Sequence, residues 1–132
     1  MSTFDRPRPR PAPHSVTGRT LDGDEVTRTL DGLTLIVAIK QSCDGCLDFV
    51  TSALDELGHV AVIIVSATID LNGEWVGAKH EVVVAPELLV ELGIRWPPFY
   101  VLVDPGNGRV VTEGVVFAPS QVAEEIAPYV AP

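Results

Sequence analysis

The stretch Leu33–Val65, LTLIVAIKQSCDGCLDFVTSALDELGHVAVIIV, decides the fold. Leu33–Ile39 and Val60–Val65 are continuous apolar runs with many β-branched residues, which is typical of strands buried on both faces. Between them, residues 44–57 carry leucine and valine at helical spacing, and Gly58 can close the helix. Two buried strands joined by a helix predict a parallel pair with a right-handed crossover.

The chain on the N-terminal side of this unit predicts a hairpin preceded by a tail. Residues 16–30, VTGRTLDGDEVTRTL, alternate apolar and polar side chains around Asp22-Gly23, which is typical of a β-hairpin or of a strand with an extended lead-in. The run RPRPRPAP before it favours extended polyproline II with few fixed contacts. We therefore expect a flexible Arg/Pro-rich tail over residues 1–15 and one folded domain over residues 16–132.

Downstream, the sequence predicts a strand, a helix, a hairpin and a last helix. Residues 81–85 have the pattern of a short edge strand, and a helix is expected from Pro86 to Leu92. The runs FYVLV and VVTEGVV flank the turn sequence DPGNGR, as in a β-hairpin. Ser120 can cap a last helix whose inner face carries Val122, Ala123 and Ile126. Together these elements predict an α/β fold with a mixed sheet of four or five strands flanked by helices.

Charge and hydropathy exclude several classes of function. The chain carries 9 basic and 18 acidic side chains, and its first 20 residues have a net charge of +3 while the remaining 112 carry −12. A body that acidic repels phosphate backbones, so we expect no nucleic-acid partner. No apolar run reaches about 18 residues, and the first fifteen residues lack the apolar core of a signal peptide. We expect a soluble chain without a membrane span, cytoplasmic as the sequence stands, and extracytoplasmic only if a signal or anchor precedes it.

The chemistry is concentrated in the two cysteines, Cys43 and Cys46, which lie between the first buried strand and the helix. A cysteine at a helix N-terminus is close to unpaired backbone N–H groups and to the positive end of the helix dipole, and both stabilise a thiolate. A second cysteine one turn inside the helix can close a small disulfide ring with the first. The pattern predicts that Cys43 attacks a disulfide and that Cys46 resolves the mixed disulfide.

A C-x-x-C pair at a strand–helix junction, followed by this order of elements, resembles the thioredoxin-like family. A second stretch supports the resemblance: residues 93–103, GIRWPPFYVLV, are similar to the family's glycine, aliphatic and basic residues before a cis-proline and a core strand. The resemblance implies that Pro98 is this cis-proline, preceded by Pro97 and lying against the Cys43 sulfur. Trp96, Pro97 and Pro98 then form either a docking edge for an extended substrate or a locally packed turn. The lead-in GRTLDGDEVT also resembles the TlpA-like branch, whose members reduce disulfides.

Several positions depart from the family's pattern. Ser42 stands where a tryptophan usually precedes the first cysteine, and Val37 stands where general thioredoxins keep a buried carboxylate, so the usual proton acceptor for Cys46 is absent. Asp44 follows the first cysteine directly, and its negative charge disfavours a thiolate there. We therefore expect the pKa of Cys43 to lie only modestly below the usual thiol value. A less stable thiolate favours a reducing couple, which predicts a reductase rather than an oxidant.

Alternative interpretations of the same residues stay open. One is a non-catalytic interaction module that keeps the fold and binds a partner at the edge formed by Trp96, Pro97 and Pro98. Another is a metal site, for which His59 and His80 are the other soft ligands outside the tail. Peroxidase chemistry is excluded because Lys40 stands where that reaction needs threonine or serine. Trp75, in the polar segment after the second buried strand, is expected either to anchor its loop or to close over the site as a lid.

If Cys43 and Cys46 are catalytic, their chemistry also predicts the cofactors and partners of the reaction. It predicts a thiol-disulfide oxidoreductase that uses its own dithiol and needs no cofactor and no metal. The expected partners are a protein disulfide as substrate and a thiol reductant as electron donor, and we expect a monomer.

Overall fold

The computed structural model describes residues 11–52, 54–58, 60–71 and 73–130. Its strands, in chain order, are β1 (Ser15–Arg19), β2 (Glu25–Thr29), β3 (Thr34–Ile39), β4 (Ala61–Ser66), β5 (Val82–Val84), β6 (Phe99–Asp104) and β7 (Arg109–Val115). Its helices are α1 (Asp44–Thr51), α2 (Pro86–Glu91) and α3 (Pro119–Ile126), with short 3-10 turns at Asp55–Leu57 and Ala127–Tyr129. None of the helices in this part of the chain is long and apolar enough to span a bilayer.

The strands form one mixed sheet in the spatial order β2-β1-β5-β4-β3-β6-β7. β3 and β4 pair in parallel over their full length, as the sequence predicts, and β6 and β7 form the predicted antiparallel hairpin beside β3. The predicted sheet of four or five strands is too small, because the N-terminal hairpin pairs with β5 and extends the sheet to seven strands. The prediction of β5 as an edge strand is wrong for the same reason, since β5 lies between β1 and β4.

The N-terminal hairpin is attached to β5 by a close approach and by an ion pair. Arg19 pairs with Val84, and a Cβ atom on Gly18 would clash with the Val84 carbonyl oxygen, so this position requires glycine. Arg28 donates from Nε and Nη2 to the two carboxylate oxygens of Glu81, at 2.7 and 2.6 Å. This bidentate pair ties β2 to the residue before β5.

Alternation along the strands divides the core into two layers, one on each face of the sheet. Leu35, Val37 and Ile39 of β3 face α1 and α3, whereas Ile36 and Ala38 face α2. The layer under α1 and α3 also contains Cys46, Phe49, Val50, Trp75, Tyr100, Leu102, Val122 and Ile126. The layer under α2 contains Val16, Val65, Val83, Leu88, Leu89, Leu92, Val101 and Val103.

α1 ends at Thr51, six residues earlier than the sequence predicts. The segment between β4 and β5 occupies the carbonyl groups at this end of the helix. The Lys79 N–H donates to the Val50 carbonyl oxygen at 2.9 Å, and His80 Nε2 lies 3.0 Å from the Ser52 carbonyl oxygen. These long-range partners satisfy carbonyls that would otherwise lack a partner at a helix end, so the helix stops there and a 3-10 turn follows.

α2 agrees with the sequence-based expectation. It begins at Pro86, whose fixed φ suits the first helical position, and Gly93 follows it with a φ of 70°. This left-handed conformation favours glycine, which explains why the chain can turn there.

The chain packs onto the sheet before the predicted domain boundary at residue 16. Pro11 forms an antiparallel bridge with Arg109, and the Ala12 N–H donates to the Gly108 carbonyl oxygen at 3.0 Å. Ala12 and Pro13 are buried. The predicted tail over residues 1–15 is therefore too long at its C-terminal end, while residues 1–10 lie outside the described residues.

α3 begins at Pro119, and the predicted Ser120 cap is wrong. Gln121 takes the capping role instead, because its Oε1 accepts from the N–H groups of Phe117 and Ala118 at 2.8 and 3.2 Å. The predicted inner face is confirmed: Val122 and Ile126 are buried and Ala123 is half-buried.

A buried tyrosine joins α3 to β6. Tyr100 donates from its hydroxyl to Glu125 Oε1 at 2.7 Å, and Gln121 Nε2 donates to Glu125 Oε2 at 2.8 Å. Burial raises the pKa of Tyr100, and the hydrogen bond to Glu125 raises it further. The bonds from Gln121 and Tyr100 lower the pKa of Glu125. A neutral phenol and a charged carboxylate are therefore the stable pair at neutral pH.

Candidate active site

Cys43 is the N-cap residue of α1, as the sequence predicts. Its backbone is extended, and its carbonyl oxygen accepts from the Leu47 N–H at 3.1 Å. Its Sγ accepts from the N–H of Cys46 at 3.2 Å. The sulfur therefore takes the place of a capping side-chain oxygen, beside the amide groups of the first helical turn.

Cys43 and Cys46 are joined by a disulfide, with their Cα atoms 5.2 Å apart. Cys43 is half-buried, whereas Cys46 is fully buried in the core layer that contains Phe49 and Trp75. The Lys40 N–H also donates to Cys46 Sγ, at 3.4 Å. Cys43 is therefore the more exposed member of the pair.

Trp96, Pro97 and Pro98 lie at the end of the sheet where the cysteines are. The Pro97–Pro98 peptide bond is cis, as predicted. Phe99 pairs with Ala38, so Pro98 lies beside the C-terminal end of β3, from which the loop with the cysteines departs. The Trp96 side chain is 82% exposed and the two prolines are half-buried. Contact between this proline and the reactive sulfur stays a prediction.

An exposed phenylalanine that the sequence alone does not single out lies next to this edge. The Val116 N–H donates to the Pro98 carbonyl oxygen at 3.1 Å, and the next residue, Phe117, is 74% exposed. The register of the hairpin, in which Phe99 pairs with Val115, places Phe117 level with the two prolines. Only this pairing brings Phe117 near them, so the linear sequence gives no sign of it.

A carboxylate from the segment between β4 and β5 also reaches the loop with the cysteines. Glu74 accepts the Ser42 N–H with Oε1 and Oε2, at 3.0 and 3.1 Å. Ser42 has a φ of 56°, a left-handed conformation that is uncommon for a residue with a side chain. Trp75, the next residue after Glu74, is 2% exposed, so it anchors its loop and is not a lid.

The remaining candidates lie at the two ends of α1. Asp44 is the first residue of α1. It directly follows Cys43 and is exposed. His80 lies at the opposite end of the helix, by Ser52, and His59 is outside the described residues. Among the residues that the structure describes, no group of three or more His, Cys, Asp or Glu side chains could hold a metal ion.

Comparison with known proteins identifies the fold. No family model matches the chain, and no curated protein matches it. Solved structures match over most of their length. The thioredoxin domain of a thiol-disulfide oxidoreductase from Bacteroides vulgatus is 20% identical, with a TM-score of 0.65, and the match covers 92% of this chain and 96% of that one.

Two further solved structures support the same conclusion. A thio-disulfide isomerase from Thermus thermophilus is 19% identical, with a TM-score of 0.63 and coverage of 94% of this chain and 97% of that one. StoA from Bacillus subtilis is 16% identical, with a TM-score of 0.60 and coverage of 86% and 96%. The chain therefore has a thioredoxin-like fold, and its cysteine pair lies at the start of α1.

Proposed function

We propose that this chain is a thiol-disulfide oxidoreductase that acts on protein disulfides through Cys43 and Cys46. The observation that carries the proposal is the difference between the two sulfurs. One caps α1 and is half-buried, and the other lies one turn inside the helix and is fully buried. The thioredoxin-like fold and the C-x-x-C pair support redox chemistry of this class.

The reaction follows from this asymmetry. In the reduced protein, the Cys43 thiolate attacks one sulfur of the substrate disulfide, and the other substrate sulfur leaves as a thiolate that takes up a proton. The Cys46 thiol then loses its proton and attacks Cys43 Sγ, which releases the second substrate thiol. Two electrons have passed to the substrate, and the protein is left with the disulfide that the structure contains. An external thiol reductant returns it to the dithiol.

Negative charge around Cys43 supports the reducing direction. Asp44 follows it in the chain, and the Glu74 carboxylate is bonded to the backbone of Ser42, the residue before it. Negative charges near a thiolate make the reduced form less stable, and the couple then donates electrons more readily. We therefore propose a reductase rather than an oxidant.

The substrate binds at the edge formed by Trp96, Pro97 and Pro98 in this proposal. Exposed aromatic side chains are favoured anchors in protein recognition, and this edge presents one of them next to the cysteine loop. Because both cysteines belong to one chain, a monomer suffices for the reaction.

A turnover assay separates this function from the alternative of a non-catalytic interaction module. The reduced protein should cleave the disulfides of insulin with dithiothreitol as donor, and the Cys43–Cys46 couple should equilibrate with a glutathione buffer. The measured reduction potential gives the direction of electron flow. A protein that stays inert with dithiothreitol while still binding a partner at the tryptophan edge would support the module instead.

Replacing the residue after Cys43 should make the couple more oxidising. Asp44 is exposed and directly follows Cys43 in the chain. If its carboxylate lies a few ångströms from the Cys43 sulfur, Asp44→Asn should lower the pKa of Cys43 by about half a unit, the scale of an exposed charge at that distance. Titration of thiolate absorbance in the reduced proteins measures this shift. Asp48→Asn, one turn further along the same helix, is the matched control. A pKa of Cys43 that is unchanged or raised in Asp44→Asn would show that Asp44 does not tune the sulfur.

A further inference from the structure

The segment between β4 and β5 holds both ends of α1. At the C-terminal end, Lys79 donates to the Val50 carbonyl oxygen and His80 contacts the Ser52 carbonyl oxygen. At the N-terminal end, Glu74 accepts the N–H of Ser42, directly before the N-cap. Residues of this one segment therefore contact both ends of the helix that carries the cysteine pair, and the Glu74 carboxylate bonds to the residue directly before Cys43.

Glu74 is itself fixed in place by its neighbours. Asp70 accepts the Glu74 N–H with Oδ1 at 2.8 Å and the Trp75 N–H with Oδ2 at 2.9 Å, which closes a tight turn. Trp75 is buried in the same core layer as Cys46 and Phe49. The position of the Glu74 backbone is thus set by Asp70 and by the core under α1, which directs its side chain to the Ser42 amide.

The hydrogen bond between Glu74 and the Ser42 amide has two separate effects at the cysteine loop. It holds the Ser42 amide while Ser42 is in the left-handed conformation that delivers the chain into Cys43 at the helix N-cap. It also places a negative charge within 3.1 Å of the Ser42 nitrogen, one residue from the reactive cysteine. A hydrogen bond to a charged acceptor is about twice as strong as a neutral one, so this contact should persist in solution.

We propose that Glu74 is a positioning residue for the cysteine pair: it fixes the loop that presents Cys43 and, by its charge, biases the couple toward the disulfide form. The proposal rests on the dithiol function argued above and adds a residue to it. Lys40 and Asp44 are the other charged residues of this loop region, and neither is bonded to the Ser42 amide.

Two substitutions separate the charge of Glu74 from its hydrogen bond. Glu74→Gln keeps a side-chain oxygen that can accept the Ser42 N–H but removes the charge. We expect it to lower the pKa of Cys43 by about half a unit. We also expect it to shift the equilibrium with glutathione about threefold toward the dithiol, which corresponds to about 15 mV for a two-electron couple. Glu74→Ala removes charge and bond together, so its Ser42 amide should also exchange its hydrogen several-fold faster than in the glutamine variant.

The matched control is Glu87→Gln, because Glu87 is an exposed glutamate on α2, on the other face of the sheet. It changes the net charge equally and should leave the Cys43 pKa, the potential and the exchange of Ser42 unchanged. Glu74→Gln with the pKa and potential of the wild-type protein would overturn the charge effect, and equal exchange of Ser42 in both Glu74 variants would overturn the positioning effect. The pKa and potential are measured without substrate, so these results are independent of whether the chain turns over a protein disulfide.

Discussion

Cys43→Ser is expected to abolish disulfide reduction, and Cys46→Ser is expected to accumulate a mixed disulfide with the substrate. Serine cannot form the sulfur–sulfur bond of the intermediate, so without the Cys43 sulfur no covalent step begins. Without Cys46, the first attack still occurs, because the half-buried Cys43 sulfur and its position at the helix end are retained. The resolving step then fails, and the substrate stays attached through Cys43.

The trapped species gives a direct measurement. After reaction with insulin, Cys46→Ser should show a mass increase equal to one whole insulin molecule, because a single attack opens one insulin disulfide and leaves the two chains joined by another. Dithiothreitol should reverse this increase. The double variant Cys43→Ser/Cys46→Ser should show no adduct, and it controls for non-covalent association. An adduct on Cys43→Ser but not on Cys46→Ser would mean that the roles of the two sulfurs are exchanged. That result is not expected, since Cys46 is fully buried.

The part of the fold that the sequence predicts well is the part in which local signals agree with long-range packing. The apolar runs of β3 and β4 predict two buried strands joined by a helix, and the two strands pair in parallel as predicted. The cysteine at the start of α1 follows from the same pattern, because a strand–helix junction places it at the N-cap whatever the rest of the chain does.

The features that the sequence does not predict depend on partners far along the chain. α1 stops at Thr51 although its sequence remains compatible with a helix, because Lys79 and His80 bind carbonyl groups at its end. Ser42 and Glu74 are 32 positions apart, and the local sequence around each residue does not predict their hydrogen bond. Such contacts override local propensity, which is weak compared with tertiary packing.

Trp75 illustrates why a residue type alone does not determine a role. For a tryptophan in a polar, irregular segment, the linear sequence favours an anchor but leaves a lid open. The structure selects the anchor because the side chain is buried with Cys46 and Phe49. The other tryptophan, Trp96, has the opposite environment, since 82% of its surface is exposed.

Alanine substitution of the two tryptophans should therefore change the free energy of unfolding by very different amounts. Trp75→Ala removes a fully packed aromatic side chain and leaves a cavity under α1, so we expect a loss of about 3–5 kcal/mol in the free energy of unfolding. That is a large fraction of the roughly 5–15 kcal/mol typical of a domain. Trp96→Ala removes an exposed side chain and should change the free energy of unfolding by less than about 0.5 kcal/mol.

Urea unfolding followed by far-ultraviolet circular dichroism measures both changes without relying on tryptophan fluorescence. Trp75→Phe, which keeps an aromatic ring, should lose less stability than Trp75→Ala, because it leaves a smaller cavity. If Trp96 anchors the substrate as proposed, Trp96→Ala should raise the KM for insulin while the free energy of unfolding stays unchanged, because the ring lies outside the core. If Trp75→Ala were as stable as the wild-type protein, the segment that carries Glu74 would not be anchored by the core, and the support that it gives to the cysteine loop would have to come from the turn at Asp70 alone.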